Sequence, residues 1–277
     1  MANKSNTLTP NTYRILCEQS TEAPNTGRYN LFDGKGTYLC RQCGTALFRS
    51  DQKFISTCGW PSFDDEIEAR IHRLEDPDGR RTEIRCQTCD GHLGHVFHGE
   101  HHTDKNQRHC VNSASIDFVN STDVQHTEEA IYAGGCFWGV ETLLSEHPGV
   151  LLTEVGYSGG HLDNPSYDVV CGGESGHFEA IRVVYDPTIT TYEELTMLFF
   201  EIHDPTQRNG QGPDIGLRYQ SAIFYYDDAQ KQMAEQLRQQ LRDKGLDVAT
   251  QLIPATVFWP AEEYHQNYYQ KNGNTPY

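Results

Sequence analysis

The sequence has no apolar run long enough to cross a bilayer: the longest, such as IYAGGCFWGV at residues 131–140, fall well short of the roughly 18 residues required. Its start, MANKSNTLTPNTYRIL, has no apolar core of the kind a secretory signal needs, so the default expectation is a cytoplasmic protein away from membranes. Basic residues are scarce. There are 22 against 39 acidic ones, and a formal charge of −17 is repelled by nucleic acid and by acidic lipid surfaces. We read that charge as solubility and expect no nucleic-acid partner. No GxGxxG and no P-loop occur, so no organic cofactor is implied. No fixed-period repeat is present, which excludes a solenoid. No cysteine follows Cys171, and the chain ends NGNTPY.

What is present suits folded cores: 36% of residues are hydrophobic, with 12 Phe and 15 Tyr, which argues against disorder. Nine cysteines are many for a reducing compartment, and an odd number cannot all pair within one chain. In a chain of this size, metal binding and redox catalysis are the better uses.

Two styles of sequence meet near residue 125, and the expected organisation is multidomain: 1–122, a linker at 123–128, and 129–277. The first part has short β-like runs between turn residues (GTYLC, TALFRS, KFIS, RTEIRC, GHVFHG, SASIDFV), which predicts a mainly-β domain. A helix is expected over 9–19, with Thr9 capping and Pro10 at the first position. NSTDVQHTEE at 120–129 is polar without an apolar period and reads as linker. The second part alternates strand and helix. IRVVY at 181–185 is a strand, Thr191 caps a helix, SAIFYY at 221–226 is a strand, and a helix closes at Gly245. That order predicts an α+β domain with a mixed sheet and helices.

Cys40-Arg-Gln-Cys43 and Cys86-Gln-Thr-Cys89 are two C-x-x-C turns, and two such turns suit one tetrahedral thiolate site holding a structural Zn2+. The other reading of each pair is a thioredoxin-like disulfide. A second metal at His98, His101 and His102 is a weaker alternative to a solvated loop. A zinc-knuckle binding protein and a disulfide oxidoreductase are the rival functional classes.

The set CxxC, Cys58-Gly-Trp60-Pro-Ser-Phe, CxxC, His92-Leu-Gly-His95-Val-Phe and Arg108-His-Cys110-Val-Asn112-Ser resembles the B-type methionine sulfoxide reductases over residues 8–120. The resemblance implies a β-rich, zinc-containing domain that reduces the R epimer. His109 departs from the family's usual Tyr, which implies an altered contact. Cys110 is then the nucleophile, with Arg108 and the histidines favouring its thiolate. His92, His95 and Asn112 would donate to the sulfoxide oxygen, and Trp60 would offer an apolar surface to the substrate methyl. A structural hydrogen bond is an equal reading for His92, and a core role stays open for Trp60. The resemblance makes Cys58 the resolving thiol, forming a disulfide with the sulfenic acid left on Cys110.

Gly134-Gly-Cys136-Phe137-Trp138-Gly139 precedes an amphipathic helix, so Cys136 sits at a helix N-terminus, where a thiol pKa is expected to fall. GCFWG resembles the A-type reductases, specific for the S epimer. Further matches are GYSGG at 156–160, NPSY at 164–167, GHFEA at 176–180, QGPDIGLRY at 211–219 and AEEYHQ at 261–266. The resemblance implies Cys136 as nucleophile, Glu179 as a buried acid that protonates the sulfoxide oxygen, and Tyr167 and Tyr219 as its hydrogen-bonding phenols. Asp214 would be a polar site residue, and Phe137 and Trp138 an apolar cage. The family's C-terminal resolving cysteines are missing, so an external thiol is expected to recycle Cys136, with Cys171 and Cys17 as alternatives. The implied partners are thioredoxin or a related dithiol and oxidised protein substrates, and a monomer is expected.

Overall fold

A computed structural model describes residues 4–76 and 79–273, so the first three residues and the last four of the NGNTPY tail lie outside it. It divides into two compact units that meet between Thr127 and Glu128. Of the polar stretch 120–129, the end is paired. Ala46 N donates to Gln125 O, Thr127 N to Gly44 O, and Glu128 opens a strand.

In the first unit, α1 (Pro10–Glu18) starts where Thr9 Oγ1 accepts from Thr12 N at 3.3 Å, with Pro10 in the first turn. Nine strands follow. They are β1 (Thr37–Cys40), β2 (Ala46–Arg49), β3 (Lys53–Phe54), β4 (Ser62–Phe63), β5 (Ile71–Glu75), β6 (Thr82–Cys86), β7 (His92–His98), β8 (Gln107–Val111) and β9 (Ile116–Val119). They form a three-stranded sheet, β2-β1-β9, and a six-stranded sheet, β3-β4-β8-β7-β6-β5, with every pairing antiparallel. One core joins them: Phe63 of the larger sheet stacks on Phe48 at 4.3 Å and meets Tyr38 at 4.9 Å, both from the smaller. β5 escaped the sequence reading because it is an edge strand. His72, Arg73 and Glu75 leave it no apolar alternation.

In the second unit, β10 (Glu128–Ala133), β11 (Val150–Ser158), β12 (Phe178–Tyr185), β15 (Ala222–Tyr225), β16 (Gln251–Pro254) and β17 (Trp259–Pro260) form one sheet ordered β16-β15-β10-β12-β11-β17. β13 (Gly210–Gln211) and β14 (Asp214–Ile215) form a separate ribbon. Only β15 and β16 are parallel, joined through α5 (Asp228–Asp243). The other helices are α2 (Phe137–Ser145), α3 (Tyr167–Cys171), α4 (Tyr192–Glu201) and α6 (Tyr268–Asn272). The expected Thr191 cap is a full capping box: Glu194 N donates to Thr191 Oγ1 at 3.2 Å and Thr191 N to Glu194 Oε2 at 2.9 Å.

Every residue of β12 is buried, so both of its faces are covered. Phe178 and Ala180 point into one apolar cluster, and Ile181, Val183 and Tyr185 into the other, beneath α2 and α4. Period-two alternation therefore puts Glu179 on the helix-covered face, in register with Tyr157 of β11.

Candidate active sites

The two C-x-x-C turns meet at the ends of β1 and β6. Cys40 Sγ–Cys89 Sγ and Cys43 Sγ–Cys86 Sγ are both 3.6 Å, and all four sulfurs lie within 4.8 Å of one another. A tetrahedron with metal–sulfur bonds of about 2.3 Å has edges of about 3.8 Å, whereas a disulfide needs about 2.05 Å. The cluster thus has the span of a thiolate metal site, and three of its members are buried. Among the described residues, His98, His101 and His102 form no such cluster.

Cys110 lies in the middle of β8, opposite Ser62 of β4 and His95 of β7. The loop before β4 brings Cys58 Sγ to 3.8 Å from Cys110 Sγ. The two thiols compete for one proton. Cys58 is pulled down to about 4, because Cys110 donates to it and the hydroxyls of Ser56 and Ser62 lie 2.9 and 3.5 Å away. Cys110 is held well above the usual thiol range by its hydrogen bond to Cys58 and by burial. The pair holds one proton between two sulfurs 3.8 Å apart, and attack by Cys110 uses the state in which that proton is on Cys58. Arg108 stabilises the pair but is also engaged: Nε and Nη2 donate to Glu100 at 2.7 and 2.9 Å, and the guanidinium lies 4.6 Å over Phe97.

The other predicted residues gather around this pair with their partners visible. His92 is buried, its Nδ1 2.5 Å from Glu83 Oε1, while Nε2 has no partner. Burial pushes its pKa down against the pull of Glu83, which favours a neutral ring. His95 Nε2 lies 3.2 Å from Asp76. Asn112 is a cross-brace: Nδ2 donates to Leu93 O and Oδ1 accepts from Glu22 N, both at 3.1 Å. Half-buried Trp60 donates through Nε1 to Glu22 O at 3.2 Å. Glu22 went unnoticed in the sequence, yet its carboxylate accepts from Ser113 N at 2.6 Å and Ala114 N at 3.1 Å, fixing the turn after the Cys110 strand. His109 makes its altered contact in the core, with Nε2 2.7 Å from Glu66 Oε2.

At the second site the glycines are steric requirements. A Cβ on Gly134 would lie 2.8 Å from Phe199 Cε2; one on Gly135, at φ +99°, would lie 2.8 Å from Gln211 Cβ. Cys136 takes the N-cap position of α2, near the N–H groups of Trp138 and Gly139, although its side chain makes no capping hydrogen bond. Those donors lower its pKa as expected, but burial outweighs them and the negative charges of Glu179 and Asp214 add to burial, so the thiol is pushed up to about 11. The sequence showed the helix end and not the desolvation.

Glu179 is 1% exposed. Its Oε2 accepts from Phe137 N at 3.2 Å, and Arg218 Nε lies 3.9 Å from Oε1. Burial dominates and pushes its carboxyl up to about 7, so the acid keeps a proton near neutral pH. Tyr167 and Tyr219 are also pushed up by burial, with Glu179's charge contributing to both. Arg218 lies 4.4 Å over the Tyr219 ring. Asp214 and Cys136 both line a cavity of about 210 Å3 on the Gly139–Leu143 side of α2, and Glu179, Trp138, Tyr167 and Tyr219 do not line it. Phe137 is buried against Tyr157 and His265, so it is wall rather than surface. Trp138 is half-exposed, stacked on Tyr268 at 3.7 Å and donating from Nε1 to His265 Nδ1 at 3.1 Å. Glu262 accepts from Tyr157 Oη at 3.0 Å and from Tyr167 N at 2.9 Å. Glu262 and His265 sat in the AEEYHQ motif, whose match to the family was the signal that could have assigned them roles.

Two half-buried cysteines, one against a second thiol and one near a carboxyl that burial pushes up to about 7, are the equipment of a thiol oxidoreductase. The family described as Peptide methionine sulfoxide reductase matches residues 128–277, and the SelR domain matches residues 8–120. A peptide methionine sulfoxide reductase MsrA of Methanosarcina acetivorans is 41% identical over 170 residues, 60% of this chain and 90% of that protein. One of Acinetobacter baumannii is 46% identical over 150 residues, 54% of this chain and 87% of that protein. Among solved structures, reduced Mxr1 from Saccharomyces cerevisiae is 38% identical with a TM-score of 0.50, covering 53% of this chain and 86% of that one. The chain belongs to the peptide methionine sulfoxide reductase family, with a SelR domain fused ahead of the family domain.

The charge of Glu179 makes a prediction at Cys136. At alkaline pH Glu179 is ionised and opposes the thiolate, so Glu179→Gln should shift the midpoint of Cys136 alkylation below that of the wild type. Peptide mapping of iodoacetamide adducts against pH measures this; an unchanged or higher midpoint would mean that the carboxylate does not act on the thiol.

Proposed function

We propose that the two domains divide the epimers of one lesion: Cys110 reduces R-methionine sulfoxide and Cys136 the S epimer, in proteins and as the free amino acid. The chain is a thiol-dependent methionine sulfoxide reductase of a protein-repair type, and the site assignments extend that. The observation that carries the reading is Glu179, a desolvated carboxyl that holds its proton near pH 7 beside Cys136. Attack of the cysteine sulfur on the sulfoxide sulfur moves the oxygen to the cysteine, releasing the thioether and leaving a sulfenic acid. Glu179 protonates the sulfoxide oxygen, and Tyr167 and Tyr219 hydrogen-bond to it. Asp214 adds a polar contact, and Trp138 backed by Phe137 receives the methyl group.

At Cys110 the same attack follows proton transfer to Cys58. His95, the second Nδ2 hydrogen of Asn112 and, once it carries a proton at Nε2, His92 face the oxygen, with Trp60 against the methyl. The thiol of Cys58 then displaces water from the sulfenic acid to give a Cys58–Cys110 disulfide, which thioredoxin or a related dithiol reduces. Cys136 has no such neighbour in the reading, and an external thiol recycles it. Cys40, Cys43, Cys86 and Cys89 hold a structural Zn2+, which ties β1 to β6 and supplies no catalytic step. We further propose folding boundaries at 1–122 and 129–277 around a 123–128 connection, and a cytoplasmic monomer.

Cys110→Ser should abolish turnover of the R sulfoxide alone, and Cys136→Ser turnover of the S sulfoxide alone, in assays with resolved peptide epimers. Either variant retaining both activities would refute the division. Metal analysis should find one zinc per chain, lost together with R-epimer turnover in Cys86→Ser while S-epimer turnover persists. A zinc-free wild type with full R-epimer activity would contradict the clamp.

A further inference from the structure

Glu141 lies within α2, three residues beyond Trp138, and takes no part in the chemistry above. It is 1% exposed, and a carboxylate that deep is unfavourable unless hydrogen-bonded. Its partners come from two other elements. Thr153 Oγ1 of β11 donates to Oε1 at 3.4 Å, and Asn267 N donates to Oε2 at 2.9 Å. The neighbouring Tyr268 N also favours its charged form, and Lys271 of α6 is the cation that acts on it.

The grip on Asn267 falls at a strained point. Asn267 is left-handed, at φ 52° and ψ 43°, a conformation a residue with a Cβ keeps only when its surroundings impose it. The following residue, Tyr268, stacks on the Trp138 indole with an interplanar angle of 7°, and His265, two residues earlier, accepts the indole N–H. Between them Gln266 is tied to Val155 and Ala261 by its side chain. One buried carboxylate on the catalytic helix thus pins the turn from which both partners of Trp138 project.

We propose that Glu141 is a positioning residue: by holding Asn267 it fixes the plane of Tyr268 and hence of Trp138, and so sets the affinity of the Cys136 site for the S sulfoxide. This rests on Trp138 being the wall that receives the substrate methyl. Glu141 touches neither substrate nor thiol, so its loss should act on KM and not on the chemical step. Its carboxyl is pushed up to about 7 by burial, so acid should weaken the grip: below that pH one acceptor is protonated and the turn loosens. The sign is opposite to that of Glu179, whose proton is needed, so Glu179 limits kcat on the alkaline side while Glu141 raises KM on the acid side.

The test is steady-state turnover of an S-sulfoxide peptide from pH 5.5 to 8.5, a range spanning about a unit and a half either side of both groups, by wild type, Glu141→Gln, Glu141→Leu and Trp138→Ala, with amide hydrogen exchange at Asn267 and Tyr268. Loss of a hydrogen bond to a charged acceptor predicts about a tenfold higher KM in Glu141→Leu, kcat within about twofold, and faster exchange at both amides. Glu141→Gln, which keeps an acceptor, should restore most of the affinity and remove the acid-side rise in KM. Unchanged KM and exchange in Glu141→Leu would overturn the proposal. If that variant does not fold, Glu141→Gln decides, and a KM–pH profile matching wild type would overturn it. An unaltered KM in Trp138→Ala would instead refute the substrate-wall reading.

Discussion

The second unit depends on two acids sharing one dry place at the start of α2. A thiol and a carboxyl are both desolvated there, and neither ionises easily while the other is charged. The helix N-terminus offsets part of the penalty: Phe137 N donates to the carboxyl, and the nearby N–H groups of Trp138 and Gly139 favour the thiolate. The remainder is what the chemistry uses: a carboxyl that keeps a proton to give away, and a thiol whose negative charge becomes favourable once that proton has moved. The surrounding structure follows from keeping the place dry. β12 is buried on both faces, the Gly134-Gly135 turn lets the chain pass Phe199 and Gln211, and α2 covers the carboxyl's face of the sheet.

The first unit solves the same problem differently. Among the described residues no carboxyl acts on Cys110; its proton partner is a second thiol 3.8 Å away, carried by the loop before β4. Cys110 itself, and the hydroxyls of Ser56 and Ser62 beside Cys58, favour the charged form of Cys58. One residue can then accept the nucleophile's proton at the start and take up its oxidised sulfur at the end.

Much of this was legible in the sequence wherever chemistry is carried by rare residues in short motifs. Two C-x-x-C turns foretold a four-sulfur cluster, GCFWG placed a thiol at a helix start, and Thr191 foretold a cap. Partners distant in sequence were not legible. Glu22 reaches Ser113 across 91 residues and Glu141 reaches Asn267 across 126, and neither leaves a local pattern. The bracing of Asn112 was not legible either: Leu93 O and Glu22 N, distant in sequence, hold its amide. The direction of the Cys136 pKa shift was misread for one physical reason. Helix ends and nearby cations are visible in a sequence, whereas burial is a property of the assembled fold.

The central claim is that burial keeps Glu179 protonated near neutrality beside Cys136. Isotope-edited infrared titration of the carboxyl stretch, comparing wild type with Glu179→Gln, measures it directly. The account predicts a carboxyl that loses its proton at about pH 7. A midpoint near the ordinary value of about 4.3 for a glutamate would contradict it.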